Sequence, residues 1–190
     1  MTTLEEADNA LHIGSTTHFF LAPVATEGWI DLSTFKFTDE STWPENWTWF
    51  GDTSSENLPE FEEDGGEMTM KRTADRKNVR AVAEDSSLSG TINSVAITKD
   101  FFEKTNSSGK WNDETKSYTV MNANGGKEWK VQFITEDGDS QGGFGLYRAQ
   151  LKHKFPTNSL EEFQEMPVGV SVLESGGKLY EIFTPRKRAS

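Results

Sequence analysis

Alternation with a period of two runs through most of this chain and argues against a helical architecture; no stretch approaches the length of a membrane-spanning helix. In residues 127–136, Trp129, Val131 and Phe133 fall on one side and Glu128, Lys130 and Gln132 on the other. That is the signature of a strand with one buried face. Residues 146–155 repeat it, with Tyr147, Ala149, Leu151 and Phe155 against Arg148, Gln150, Lys152 and Lys154. Further strands are expected at Thr16–Val24, Gly28–Phe37, Glu67–Thr73, Asn78–Glu84, Leu88–Ile97 (with Gly90 as a bulge), Trp111–Asn122, Val168–Glu174 and Lys178–Thr184. Asn124-Gly125-Gly126 and Ser175-Gly176-Gly177 read as hairpin turns between the strands that flank them. A single short helix is expected over Lys99–Lys104, with Thr98 as its N-cap, Asp100 at its positive end and Asn106-Ser107-Ser108-Gly109 as its stop. Leu160–Met166 reads as a helical turn or a loop. The expected fold is all-β (mainly β): a two-sheet β-sandwich or barrel with one short flanking α-helix.

The middle of the chain does not fit this pattern. Trp43, Trp47, Trp49 and Phe50 crowd four large aromatics into eight residues, and an acidic run follows. From Asp39 to Met70 there are ten carboxylates (Asp39, Glu40, Glu45, Asp52, Glu56, Glu60, Glu62, Glu63, Asp64, Glu67) and no Lys or Arg. Burying such a segment inside its own domain would cost too much desolvation, so a long acidic surface loop is expected over 39–67. The aromatics have two readings: a loop anchored in the core, or a contact between subunits, since aromatics anchor both. The chain ends on Arg186-Lys187-Arg188. That basic tail, 186–190, and the acidic loop suggest head-to-tail complementarity between copies. The expected intersubunit contacts are therefore Trp43, Trp47, Trp49, Phe50, Glu56, Glu60, Phe61, Glu62, Glu63, Asp64, Arg186, Lys187 and Arg188.

Composition narrows the function. Leu, Ile, Val and Phe make up only 39 of 190 residues, which is at the margin of what a packed domain needs; large aromatics offset the shortage. One domain is expected at 16–185, behind a polar N-terminal arm at 1–15. The formal net charge of -12 argues against gripping nucleic acid, since duplex DNA carries a negative charge every ~1.7 Å and is bound through Lys and Arg. Met1–Ala10 has no basic start and no apolar run, so cytoplasmic synthesis without export or membrane insertion is expected. The lack of Cys excludes disulfides and thiolate sites. His12, His18 and His153 lack metal-site spacing, Glu136–Ser140 lacks the ligands of a calcium loop, and Gly142–Gly145 precedes a strand and not a helix. No catalytic, metal or cofactor site is expected, and no enzyme.

The order Trp47-x-Trp49-Phe50-Gly51-x-Thr53-Ser54, then Gly65-Gly66-Glu67-x-Thr69, then Arg76-x-x-Val79-Arg80 resembles the major tail tube protein of long-tailed (siphovirus-type) bacteriophages, especially those of actinobacterial phages. A strand–helix unit around Ile97–Lys104 and an ending at Thr184-Pro185 extend the resemblance over 16–185. It implies a structural virion protein that forms hexameric rings, stacked into a tube through which phage DNA passes without specific binding. It also implies tape measure, tail terminator and tail-tip partners, and assembly in the host cytoplasm. Two alternatives remain. One is the tube protein of a contractile injection system; the other is a carbohydrate-binding β-sandwich that stacks sugars on Trp43, Trp47 and Trp49.

Overall fold

The computed structural model describes residues 14, 16–66, 68–71, 80–83, 86–156 and 163–188 of the protein. The expected N-terminal arm, apart from Gly14, lies outside them, as do 157–162 and the last two residues. The strands are β1 (Thr16–Ala22), β2 (Thr48–Trp49), β3 (Glu60–Gly65), β4 (Met68–Lys71), β5 (Arg80–Ala83), β6 (Ser86–Ser94), β7 (Gly109–Asn112), β8 (Ser117–Val120), β9 (Lys127–Asp137), β10 (Ser140–His153), β11 (Met166–Val172) and β12 (Tyr180–Lys187). Helix α1 (Lys99–Thr105) starts where expected: the Thr98 side chain accepts from the Phe101 N–H, and Asn106 caps the other end. The fold is mainly β.

One eight-stranded antiparallel sheet, ordered β2-β1-β9-β10-β11-β6-β3 with β12 added on β10, supplies both layers. The division is made within β10. Its first half, Ser140–Leu146, pairs with β12, and its second half, Ala149–His153, pairs with β11. Between Leu146 and Ala149, β10 carries one residue more than β9. Such a bulge bends and twists a strand, and here it turns one layer over the other. The outermost strand β3 thereby returns over β9 and β10: Phe61 meets Phe133 at 5.2 Å and Phe144 at 5.4 Å, both edge to face. The core between the layers includes Phe19, Leu21, Phe50, Ile92, Phe101, Val131, Phe133, Leu146, Leu151, Val168 and Val170.

Several strand assignments change. The bulge puts Leu146, not Tyr147, on the same inner face as Ala149 and Leu151, so strict alternation fails there. Gly28–Phe37 is not a strand. Its chain turns at Asp31, whose carboxylate accepts from the Ser33 N–H and hydroxyl, and it docks through an amide side chain. The fully buried Gln132 accepts from the Ile30 N–H at 2.8 Å and donates to the Ile30 carbonyl at 3.2 Å, which replaces ladder bonds. Residues 111–122 contain a hairpin of their own, β7–β8, so Asn124-Gly125-Gly126 joins strands that do not pair. The Asn124 amide serves the end of α1 instead, accepting from the Ser107 N–H and donating to Asn106. β11 and β12 also do not pair with each other; only Ser175 and Lys178 bridge their turn. Gly90 makes no bulge, since β6 keeps register with both neighbours. The acidic loop expected at 39–67 contains strand β3, and Arg186 and Lys187 of the expected basic tail belong to β12. Leu160–Met166 lies partly outside the described residues, and Met166 itself opens β11.

β1 is buried on both faces. Phe20 and Ala22, facing away from the main core, pack under Ile30, Leu32, Phe35 and Trp47, with Ile134 of β9 beside them. Loop 23–47 thus forms a third, aromatic layer.

Candidate functional site

The acidic segment builds a two-stranded ribbon. Along β3 and β6, Phe61 faces Gly90 and Gly65 faces Ser86. Along β4 and β5, Met68 faces Ala83 and Lys71 faces Arg80 in the same register. The two ladders share one register on either side of residues 67 and 84–85, which lie outside the described residues. β11 covers β6 only as far as Ser89, its partner at Ser171. Beyond that the pairing of β3 with β6, and of β4 with β5, has no third strand among the described residues. Of the strand-like runs expected at 67–73 and 78–84, β4 and β5 are described, and the ends of both runs lie outside the described residues. Their common register with β3 and β6 was not legible in the sequence, because a two-residue Gly turn reads as a break.

The ribbon is polarised. At its root, Glu60, Glu62, Glu63 and Asp64 are all exposed, opposite an uncharged strand, Ser86–Thr91. Among the described residues no ion pair neutralises these carboxylates. Glu56 nearby is also exposed. The distal end is formed by the Lys71–Arg80 pair, and the chain joining them carries Arg72, Asp75, Arg76 and Lys77.

Among the described residues β3 and β12 each have one edge without a partner strand, and an apolar groove of about 540 Å³ lies between them. Phe61, Leu88, Phe144, Leu146, Tyr180 and Ile182 line it; Glu63 is its one charged lining residue. Ile182 is 69% exposed and Tyr180 45%. The sequence signal for this groove was Tyr180 and Ile182 on alternate positions of β12, but which strand would cover them depends on the fork in β10.

The aromatic cluster turns inward. Trp47 is 6% exposed and lies 6.0 Å from Trp29; Phe50 is 2% exposed, in the main core against Phe19 and Phe101. Trp43 and Trp49 are half-buried, both against Phe37. In the C-terminal segment, Arg188 donates to the Gly138 carbonyl at 2.9 Å and Arg186 lies 3.8 Å from Asp31; Lys187 is exposed. That segment offers fewer uncommitted cations than its sequence suggests.

Beside the groove, on the other face of β12, a polar cluster ties the third layer to the sheet. Glu181 accepts from Trp29 Nε1 at 2.9 Å and from the Tyr147 hydroxyl. The Tyr147 bond is the main influence lowering the Glu181 pKa, and the same bond raises that of Tyr147. Lys130 donates to the carbonyls of Thr26 and Gly28 and sits 4.1 Å over the Trp29 ring. Burial lowers its pKa. These bonds fix loop 23–29. Among the described residues, no group of three or more His, Cys, Asp or Glu is placed to hold a metal ion, and no helix is long and apolar enough to cross a membrane.

A family model described as phage tail tube protein matches residues 5–184 of the chain. No curated protein matches it.

Proposed function

The chain belongs to the phage tail tube protein family, and from that premise we propose that its copies form hexameric rings stacked into a tube that conducts phage DNA at ejection. It is a structural component of the virion tail. The observation that carries the finer reading is the pairing beyond Ser89, β3 with β6 and β4 with β5, which has no covering strand among the described residues, beside a groove whose two bordering strands each have an edge without a partner strand there. Isolated two-stranded ribbons are marginal in water, and open edges invite pairing, so both features call for a neighbour. Contacts of unlike surfaces generate rings or filaments, which suits a polarised ribbon.

The acidic character of the chain, -12 overall, suits a wall that DNA slides past. In this reading the subunit assembles in the host cytoplasm, and tape measure, tail terminator and tail-tip proteins meet the same surfaces at the tube ends. Among the residues expected at contacts, Glu56, Glu60, Glu62, Glu63 and Asp64 on the ribbon side are the principal ones. Trp43, Trp49 and Lys187 are secondary, while Trp47, Phe50 and Phe61 support the contacts from within. A carbohydrate-binding module would need Trp43, Trp47 and Trp49 as an open platform, and Trp47 is buried.

Negative-stain microscopy of the concentrated protein tests the proposal. Rings or hollow tubes are expected; a protein that stays monomeric at every concentration overturns it.

A further inference from the structure

We infer that the groove between β3 and β12 receives Phe155 from a second copy of the chain, with Lys152 and Lys154 of that copy set against the acidic strand β3. This rests on the self-assembly proposed for the chain and names the two surfaces that meet. The groove is apolar, with Phe61 and Phe144 among its walls and Ile182 and Tyr180 left largely open. Glu63 is its one charged lining residue, and Glu60, Glu62 and Asp64 are exposed along the same strand. No ion pair among the described residues neutralises these four carboxylates. A fitting occupant brings a large apolar side chain flanked by cations.

Phe155 meets both requirements. It is 88% exposed, more than any other large apolar side chain among the described residues. Lys152 and Lys154 precede it and are exposed as well. Lys154 passes over Gly169 and donates to the Thr91 hydroxyl at 3.3 Å; neither lysine has an ion-pair partner among the described residues. Phe163 is also open, at 82%, but it brings Glu165, whose carboxylate accepts from the Asn57 amide and would stand against Glu63 as a like charge. Charge therefore selects Phe155 over Phe163.

A copy cannot fill its own groove. Leu146 of β10 lines the groove, and Phe155 comes nine residues later. The chain stays extended between them, because β10 pairs with β11 through His153 and the Lys154 N–H donates to the Pro167 carbonyl at 2.7 Å. At ~3.3 Å per residue the two sites are about 30 Å apart. Single exposed apolar residues are ordinary on a monomer; Phe155 differs in having an open apolar groove of opposite charge at the other end of its own strand. Two grooves facing each other would set Glu63 against Glu63, so the contact joins unlike surfaces head to tail, the kind that continues into a ring or a filament.

The test uses the full chain in sedimentation velocity at low salt, with circular dichroism as the check on folding. F155A and I182K are each expected to associate at least about tenfold more weakly than wild type, since each removes one side of an apolar contact. Both side chains are exposed, so neither change touches the core. An equimolar mixture of the two is expected to recover pairing, because the groove of F155A and the Phe155 of I182K are both intact. K152E/K154E and E63K are each expected to associate about threefold more weakly, and F163A like wild type. Normal association by F155A or by I182K overturns the inference, as does a mixture that fails to recover or an F163A as weak as F155A. Charge variants that both associate normally overturn the pairing of the lysines with β3. Wild type that remains monomeric overturns the tube reading itself, whereas wild type that assembles beside an indifferent F155A overturns only this docking.

Discussion

Phe61 lies across Gly90, its directly paired residue on the neighbouring strand: a Cβ on Gly90 would stand 2.7 Å from Phe61 Cδ1 and 2.5 Å from the Glu60 carbonyl oxygen. The missing side chain makes the seat over which Phe61 reaches Phe133 and Phe144, so one glycine lets the outermost strand close over the inner ones.

G90A is therefore expected to destabilise the fold by about 1–3 kcal/mol through overpacking. F61A, which empties the seat, is expected to cost about 2–4 kcal/mol through lost burial and a cavity. Urea denaturation of both variants measures this. Wild-type stability in G90A would show that the ring does not need the glycine.

Lys130 is 4% exposed and holds two carbonyls of loop 23–29. K130M keeps the aliphatic stem but leaves the Thr26 and Gly28 carbonyls without their donor, an expected loss of about 2 kcal/mol. Tryptophan fluorescence should report it locally, because Trp29 lies under the ammonium. An unchanged spectrum and unchanged stability would remove Lys130 as the anchor of the third layer.

The stability of the subunit should fall as the pH drops below about 6.5, the ordinary histidine value. Burial lowers the pKa of His18 and outweighs the nearby Glu136 carboxylate, 3.4 Å from Nε2; burial also lowers that of His153, with Lys152 adding to it. The unfolded chain then takes up protons that the native state refuses, so stability rises with pH through this window and is full above it. The slope is at most about 1.4 kcal/mol per pH unit per histidine. Denaturation at pH 7.5 and 5.5 should differ in wild type and differ less in H18Q. Equal differences would exclude His18 as a source.

Association of the copies should weaken with salt. The root carboxylates of β3 and Lys187 are exposed, and the Debye length shrinks from about 10 Å at 0.1 M to about 3 Å at 1 M. Sedimentation across that range checks it. Salt indifference would mean that apolar contact alone holds the copies together.

The sequence made the strand-rich class, the N-cap at Thr98 and the ends of β1 and β9 legible, because alternation and capping are local. It did not reveal which strands pair. Asn124-Gly125-Gly126 has the composition of a hairpin turn, yet Asn124 is taken by Asn106 and Ser107, a partner set 18 residues away that no turn rule contains. Tyr147 was assigned to the wrong face because a bulge shifts the alternation by one, and nothing in Leu146–Ala149 announces it. The acidic segment was recognised as a surface feature from its charge alone. Strand β3 within it was missed, since Phe61 is its one apolar residue and the pairing that orders it comes from β6. The aromatic cluster left two readings open for the same reason: Trp47 and Phe50 need the faces of β1 and the end of α1 before their burial can be seen.

β10 is bonded to β9 along nearly its whole length, while its other side is shared between β12 and β11. The two layers are thus joined by covalent chain as well as by side-chain packing. A pull that tries to slide one past the other is carried through peptide linkages of a single strand, so the subunit can bear tension without shearing its interior.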